Sequence, residues 1–323
     1  MVAGPKELEK LLGIFLPENM RRRERVIQKN GRFVHYTSAE KALKILDTKQ
    51  IWMRSTTCMT DFREVRHGLD ALVRYFNQPG KRDAFTAALD ACSHGVANET
   101  YTLFDQWAQN TQLQTYITSI SEHEPSEDLH GRLSMWRAFG GSSIARVAIV
   151  INLQLGLDKN LNLGAHLSPV RYFTDEQLAS EFDEVIANVN ANLEFLRSID
   201  RNLLRDALFG MFTTCIVCLK HEGFLEEREW RVIHSPKRLP SAYIENSVEV
   251  VSGIPQLVYK IPLENNKAAD LTGLHPDELI NHLIIGPTQF PWAMYEAFVT
   301  ALEKAGIKNA DKRIALSQIP VRT

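Results

Sequence analysis

The sequence GRFVHYTSAEKALKILDTKQIWM, residues 31–53, predicts a strand, a helix and a second strand in close succession. Residues 33–37 are rich in aromatic and β-branched side chains, which favour a strand. Ser38 is a suitable N-cap for the following helix, whose apolar residues recur at helical spacing. Residues 51–53 predict the second short strand. We therefore expect a fold that mixes short strands with helices.

The rest of the chain continues this mixture with elements of very unequal length. Further strands are predicted at residues 115–121, 144–153, 230–234, 248–251, 257–261, 283–285 and 313–317. Longer helices are predicted across residues 80–112, 175–199, 201–220 and 292–304. An acidic, polar stretch at residues 122–131 predicts an exposed loop between two of these strands.

Short strands separated by unequal helices favour an α+β domain over a regular βαβ array. We expect an N-terminal helical segment at residues 1–30, followed by a single α+β domain at residues 31–323. That domain should hold a mixed, short-stranded central sheet. Helical insertions at about residues 61–112 and 174–220 account for its length.

Composition excludes several classes of protein. The chain has 323 residues, a formal net charge of −2 and 44% hydrophobic residues, which argues against a disordered, collagen-like or disulfide-scaffold protein. No apolar run approaches the ~18 residues of a membrane span. The N-terminal residues carry early acids instead of the apolar core of a secretion signal. Four cysteines suit a reducing compartment, so we expect a cytoplasmic protein without a membrane partner.

Two local features have both structural and functional interpretations. Basic residues cluster between Arg21 and Lys29, and they predict either a phosphate-binding patch or a solvated helix face. Cys215 and Cys218 form the one close cysteine pair. Because no matching second pair follows, we expect core packing there instead of a zinc site.

The segment EEREWR, residues 226–231, offers the most informative cluster of charges. Glu227, Glu229 and Arg231 alternate, so on a strand they would share one face. Such charges are costly to bury unless they pair with one another or meet a ligand. The cluster is therefore either a surface ion-pair ladder or part of a ligand site.

Two other predicted strands carry polar side chains. His35, Tyr36 and Thr37 lie on the first strand, and a histidine there can donate a hydrogen bond to a sugar or a phosphate. Ser119 and Ser121 share one face of another strand, where alternating hydroxyls can orient a neighbouring carboxylate. Each pattern also occurs in purely structural roles.

Taken in order, these pieces resemble the bacterial family known as domain of unknown function 2971. The resemblance rests on four stretches: His35 to Ser38 with Ile51 and Trp52; Asp61 with Glu64; Ser119 to Ser121 with Met135 and Trp136; and Lys220 with the Glu227 to Arg231 segment and Ile284 to Pro287. The family usually has Asn before the aspartate, whereas this chain has Thr60. The resemblance extends over about residues 31–323.

A second resemblance concerns chemistry. A histidine on an early strand, a Ser-x-Ser strand and a late Glu-x-Glu strand are similar to the three-part signature of ADP-ribosyltransferases. This resemblance implies that NAD is the substrate and that Glu229 is the carboxylate that stabilises an oxocarbenium-like state. It implies that Glu227 is a general base for the acceptor, although the roles of the two glutamates are interchangeable. Ser119 or Ser121 would hold Glu229 in place.

The same resemblance implies roles for the remaining cofactor-binding candidates. His35 would bind the ribose or the diphosphate of NAD, with Thr37 on the same strand. Tyr36 or Trp52 would stack on nicotinamide or adenine. Two further cations would neutralise phosphate or pair with the glutamates; they are Lys220 and Arg231.

The function implied is that of an NAD-dependent ADP-ribosyltransferase-like enzyme, a toxin or anti-phage effector. Its acceptor would be a macromolecule, either protein or nucleic acid, and an antitoxin or defence-system partner would accompany it. One alternative is a non-catalytic ligand-binding or regulatory module whose charges form structural ion pairs. Another is a metal-dependent nuclease in which Asp61, Glu64 and the glutamate pair hold Mg²⁺. Apart from NAD, we expect no cofactor or metal for the leading interpretation.

Overall fold

The computed structural model of the chain describes residues 4–58, 63–108, 114–139, 145–153, 155–156 and 160–320. Its helices, labelled in chain order, are α1 (Pro5–Phe15), α2 (Pro17–Gln28), α3 (Ala39–Thr48), α4 (Arg63–Phe76), α5 (Lys81–Cys92), α6 (Val96–Ala108), α7 (Leu133–Ala138), α8 (Asp175–Ala191), α9 (Leu193–Ser198), α10 (Arg201–Val217), α11 (Pro276–Leu279) and α12 (Pro291–Lys304). Its strands are β1 (Arg32–Ser38), β2 (Gln50–Ser55), β3 (Tyr116–His123), β4 (Arg146–Ile151), β5 (His166–Pro169), β6 (Glu229–His234), β7 (Glu245–Val251), β8 (Ile254–Pro262), β9 (Ile280–Ile285) and β10 (Ile314–Leu316).

The chain divides into two compact units. The helical unit comprises Met1–Arg25, Ser55–Thr115 and Ser168–Leu225. The sheet unit comprises Val26–Arg54, Tyr116–Leu167 and Glu226–Thr323. The insertions predicted at about residues 61–112 and 174–220 fall within the helical unit.

The helical unit has an aromatic core. Tyr75 stacks on Phe182 with 4.5 Å between ring centroids, and Phe76 meets the same ring edge-on. Cys215 and Cys218 are 2% and 0% exposed, which confirms the predicted core packing of this pair. No helix among the described residues has the length and apolar character needed to cross a membrane.

One expected helix is divided in two. The prediction of a single helix at residues 175–199 is wrong, because α8 ends at Ala191 and α9 begins at Leu193. Asn192 lies between them with a φ of −121° and donates its side-chain amide to the carbonyl of Asn188. The start of α8 agrees with the sequence, since Thr174 accepts a hydrogen bond from the backbone N–H of Gln177.

The sheet unit contains a mixed sheet with the strand order β10-β9-β4-β1-β3-β2-β8-β7, and β6 also pairs with β3. β10 and β9 are parallel, whereas β1 is antiparallel to both β3 and β4. The predicted mixture of helices with a mixed, short-stranded sheet is therefore confirmed. The strand, helix and strand expected within residues 31–53 are β1, α3 and β2, and Ser38 caps α3 by accepting from Lys41 N–H.

The two faces of this sheet have different surroundings. On one face, Phe33 and Trp230 meet edge-on, and the core there includes residues of α3 and α12. On the other face, Val34 and Tyr36 pack with Met135 and Trp136 of α7. The polar residues described next lie on this second face.

Candidate functional site

A cleft opens where β1 and β3 stop pairing. The β1–β3 ladder runs from Arg32 opposite His123 to Val34 opposite Ser121. β1 then continues along β4 as far as Ser38, while β3 continues along β6. The end of the shared ladder leaves room between the strands for side chains of the second face.

The cleft has about 270 Å³ of empty space, part of which is open solvent. Its polar lining consists of Tyr36, Ser119, Ser121, Glu227 and Glu229. Apolar side chains complete it, among them Val34, Met135 and Phe139. Five residues singled out from the sequence therefore share one cleft.

Strand register explains why three separate motifs meet here. Ser121 lies opposite Glu229, and Ser119 lies opposite Arg231. Directly opposed residues of an antiparallel pair lie on the same face, so the two alternating patterns coincide. Ser119 Oγ donates a hydrogen bond of 2.5 Å to Glu229 Oε1.

The Glu229 carboxylate is buried and accepts hydrogen bonds on both oxygens. It is 5% exposed, and Arg231, which is 0% exposed, donates from Nε to Oε1 at 2.8 Å. A second guanidinium nitrogen donates to Oε2 at 3.2 Å. A buried pair needs such complete hydrogen bonding to offset the loss of hydration. Glu229 and Arg231 are therefore a buried ion pair and not the surface ladder that residue types alone allow.

Glu227 reaches the cleft by a different route. The condition for a strand face shared with Glu229 is not met, because β6 begins at Glu229 and Glu227 ends a short 3₁₀ turn. Arg228 between them has a φ of +44°. This left-handed residue turns the backbone, so that both glutamates line the same cleft although only one is on the strand.

Arg132 holds this turn against β3. Its guanidinium donates to the carbonyl of Glu226 at 2.5 Å and to the carbonyl of Glu122 at 2.9 Å. Its backbone N–H donates to the hydroxyl of Tyr36 at 2.9 Å. The same residue thus braces the segment next to Glu227 and the ring of Tyr36.

Tyr36 and His35 point to opposite faces of β1. The Tyr36 ring packs edge-on against Trp136 at 4.9 Å, and burial raises the pKa of its hydroxyl. His35 is opposite Ile149, and its Nδ1–H donates to the carbonyl of Ser119 at 2.9 Å. Burial lowers the pKa of His35, and this hydrogen bond partly opposes the shift. His35 therefore contacts the backbone of a cleft residue, whereas Tyr36 lines the cleft itself.

The other predicted cofactor-binding residues lie in different surroundings. Thr37 is buried on β1 opposite Val147. Trp52 lies on β2, and the Nζ atoms of Lys44 and Lys260 are 4.0 and 5.2 Å from the centroid of its ring. Lys220 belongs to the helical unit, where its Nζ lies 5.0 Å from the Phe224 ring.

The basic stretch near the N-terminus is engaged with carboxylates. Arg21 pairs with Glu18 at 2.8 Å and with Glu184 at 2.6 Å. Arg25 pairs with the other oxygen of Glu18 at 2.6 Å. These intramolecular ion pairs account for Arg21 and Arg25 without a nucleic-acid ligand.

A second polar cluster on the same face was missed by sequence reasoning. His123 Nε2 lies 2.8 Å from Asp128 Oδ1, and Arg32 donates to both oxygens of that carboxylate at 2.6 and 2.7 Å. His282 of β9 lies beside them, with its ring centroid 6.1 Å from that of His123. The expectation of an exposed loop at residues 122–131 is wrong for His123, which ends β3 and is 1% exposed.

One sequence signal points to His123 alone. It continues the alternation of Ser119 and Ser121 along β3, which places it on the same face. Asp128 and His282 come from separate segments and share no motif with it.

Comparison with known families confirms the first of the two resemblances over part of the range in which it was expected. Residues 135–232 match the family described as "Protein of unknown function (DUF2971)". This segment includes Glu227, Glu229 and Arg231, whereas His35 and Ser119 precede it. Comparison with curated proteins and with solved structures gives no match.

Proposed function

We propose that this chain is an NAD-dependent ADP-ribosyltransferase-like enzyme in which Glu229 is the essential carboxylate. One observation carries the proposal: Ser119 Oγ donates to Glu229 in a cleft that Glu227 and Tyr36 also line. A hydroxyl-oriented glutamate beside a second carboxylate and an aromatic ring is the arrangement that the resemblance implies. Under this proposal the mixed, short-stranded central sheet is ADP-ribosyltransferase-like.

The chemistry requires a carboxylate that is fixed before the reaction starts. Cleavage of the bond between nicotinamide and ribose develops positive charge on the sugar, as glycoside hydrolysis does. A preorganised negative group stabilises that charge without reorganisation during the step. Ser119 and Arg231 hold Glu229 in this way, at 2.5 and 2.8 Å from Oε1.

The size of the cleft favours binding of one end of NAD. The cleft is small and partly open to solvent, so it can enclose only one end of a molecule as large as NAD. We assign the nicotinamide-ribose end to it, with the ring packed against Tyr36, Met135 and Phe139. His35 then acts through the Ser119 carbonyl and not through the diphosphate, and Tyr36 replaces Trp52 as the stacking candidate.

Glu227 is the better candidate for contact with the acceptor. It is half-buried, while Glu229 is 5% exposed, so an incoming nucleophile reaches Glu227 more easily. As a general base it would accept the proton of that nucleophile. A macromolecular acceptor, protein or nucleic acid, fits the open side of the cleft and the proposed role as a toxin or anti-phage effector.

The test is incubation of the full chain with NAD labelled in its ADP-ribose part, with and without protein, RNA and DNA acceptors. Nicotinamide release and label transfer are measured separately. We expect Glu229→Gln to lower both rates by about 10²-fold or more. We expect Glu227→Gln to lower label transfer more than nicotinamide release. Glu226→Gln, at an exposed neighbouring carboxylate, is the matched control and should change neither rate.

Two results would contradict the proposal in different ways. Absence of nicotinamide release from the wild type would rule out the transferase, and NAD binding without release would favour the non-catalytic binding module. Wild-type release that Glu229→Gln does not change would leave the activity but overturn the site. The nuclease alternative stays a prediction, because Asp61 and the side chain of Glu64 lie outside the described residues.

A further inference from the structure

We propose that His123, Asp128 and His282 form a binding site for a divalent transition-metal ion of the Zn²⁺ class. One ligand atom from each residue lies within 4.8 Å of the others. His123 is on β3 and His282 is on β9, and Asp128 belongs to the loop that follows β3. The proposal is independent of the ADP-ribosyltransferase function.

The hydrogen bonds around His282 provide the first argument. Arg32 donates to Asn281 Oδ1 at 2.8 Å, and the Asn281 amide nitrogen donates to Asn152 Oδ1 at 3.1 Å, which fixes the orientation of the Asn281 amide. His282 Nδ1 lies 2.8 Å from the same Oδ1 and must therefore carry a proton and donate.

Within the described part of the chain, the other nitrogen of His282 lies next to two acceptors. Its Nε2 lies 3.2 Å from the backbone carbonyl of Asp128 and 3.8 Å from Asp128 Oδ1. In the neutral ring this nitrogen carries a lone pair, so lone pairs face one another in a half-buried site. A cation between these atoms removes the conflict.

His123 supplies the second argument. Its side chain is 0% exposed, and its Nδ1 has no hydrogen-bond partner among the residues that the structure describes. The nearest carboxylate oxygen is Glu127 Oε2, at 3.7 Å. When the proton moves from Nε2 to Nδ1, Nε2 is free to bind a metal ion and Nδ1–H can donate to Glu127.

Two of the proposed ligands, Asp128 and His282, have a second partner that orients them, and Glu127 lies 3.7 Å from the free ring nitrogen of His123. Metal-binding histidines usually donate their other ring N–H to a carboxylate or carbonyl oxygen. Glu127 has this position for His123, and Asn281 has it for His282. Arg32 lies at 2.6 and 2.7 Å from the Asp128 oxygens and would keep Oδ2 while Oδ1 binds the ion.

The donor set defines the class of ion. Two imidazoles and one carboxylate suit Zn²⁺ and related transition metals, and they do not suit Mg²⁺ or Ca²⁺, which prefer oxygen ligands. The side chains of Asp128 and His282 are 35% and 13% exposed, so an ion and a water ligand can enter from solvent. The positive charge of Arg32 opposes the ion and limits its affinity.

The experiment is titration of the full chain, first stripped of metal with a chelator, with Zn²⁺ against a chromophoric competitor. Co²⁺ is added in a parallel experiment, because its visible spectrum reports nitrogen and oxygen ligation. We expect one equivalent of Zn²⁺ in the wild type. We expect Asp128→Asn and His282→Gln each to lower the affinity by about 10²-fold or more, and Glu127→Gln by at least ~10-fold.

His130→Gln is the matched control, because His130 is an exposed histidine in the same loop. Its affinity for Zn²⁺ should equal that of the wild type. Circular dichroism of each variant without metal checks that a lost site is not a lost fold. Absence of Zn²⁺ binding by the wild type, or binding that both ligand variants retain, would overturn the proposal.

Discussion

The two polar clusters on one face of the sheet differ in how their hydrogen-bonding groups are matched. In the cleft, the Glu229 carboxylate is surrounded by donors, namely Ser119 Oγ and the Arg231 guanidinium. In the second cluster, the Nε2 of His282 faces two oxygens of Asp128. The two clusters are neighbours on β3, since Ser121 and His123 are two residues apart and lie on the same face of the sheet.

The difference shows what each cluster can do. A carboxylate that is held on both oxygens is fixed in place, which suits a group that must meet developing positive charge. Acceptor atoms that converge without enough protons are satisfied by a further proton or by a cation. The same sheet face therefore presents a fixed anion at one position and a candidate cation site two residues further along β3.

The largest expected effect tests whether the Glu229–Arg231 pair is desolvated. Arg231→Met leaves the Glu229 carboxylate buried without its counter-charge. We expect the free energy of unfolding to fall by about 3–5 kcal/mol, measured by urea denaturation. The matched control is Arg228→Met, because Arg228 is half-buried and its ion pairs are longer, at 3.4 and 3.6 Å. It should cost less than about 1 kcal/mol.

A double variant sharpens this test. Arg231→Met combined with Glu229→Gln removes both charges, so it should recover a large part of the lost stability. Similar small losses for Arg231→Met and Arg228→Met would contradict the prediction. The cleft pair would then be as well solvated as an ordinary surface pair.

The same comparison explains which parts of the site can be predicted from sequence. Ser119 and Ser121, and likewise Glu229 and Arg231, are two residues apart on strands, so alternation alone puts each pair on one face. Only their register, Ser121 opposite Glu229, required the structure. His123 could be assigned to a face but not to its partners, because they come from distant segments.

Fold prediction succeeded and failed for similar physical reasons. β1, α3 and β2 follow local preferences of residues 31–53 and were predicted close to their observed bounds. The displacement of Glu227 from β6 could not be predicted, because it depends on Arg228 at a φ of +44°, which local preference does not favour. The end of the helix at Asn192 likewise could not be predicted, because no glycine or proline is present there.

The second prediction concerns Gly131, in the loop between Asp128 of the second cluster and Arg132 at the cleft. Its φ is +63°, and an added Cβ would lie 2.8 Å from the Trp136 ring and 3.0 Å from the Tyr36 hydroxyl. Gly131→Ala should therefore combine backbone strain with overpacking and cost about 2–3 kcal/mol, measured by denaturant unfolding.

Gly80→Ala introduces the same kind of backbone strain without a steric contact. Gly80 has a φ of +76°, and an added Cβ there meets nothing within 4 Å. Only the strain, about 1 kcal/mol, should appear. Equal costs for the two alanine variants would show that Trp136 and Tyr36 yield easily, and that the loop does not couple the two clusters rigidly.

A smaller effect is expected from the serines of the cleft. Ser119→Ala removes a hydrogen bond to a buried carboxylate and should cost about 1.5–2 kcal/mol of unfolding free energy. Ser121 makes no side-chain hydrogen bond within the described part of the chain, so Ser121→Ala should cost less than about 0.5 kcal/mol. If the two alanine variants were equally stable, Ser119 would not be the residue that fixes Glu229.

The smallest expected effect is on the pH dependence of the free energy of unfolding. It distinguishes His35, beside the cleft, from the histidines of the second cluster. Burial lowers the pKa of His35 below the value of about 6.5 that the residue has when unfolded. The unfolded chain therefore binds this proton first as the pH falls below about 6.5, and the free energy of unfolding decreases toward acid.

His35→Gln keeps a donor for the Ser119 carbonyl and removes the titration. With a chelator present, the unfolding free energy of the variant should fall less steeply between pH 7 and pH 5 than that of the wild type. The two slopes should differ by less than about 1 kcal/mol per pH unit. A slope that His35→Gln does not alter would mean that the acid sensitivity comes from the buried histidines elsewhere, His123 and His282 among them, and not from the edge of the cleft.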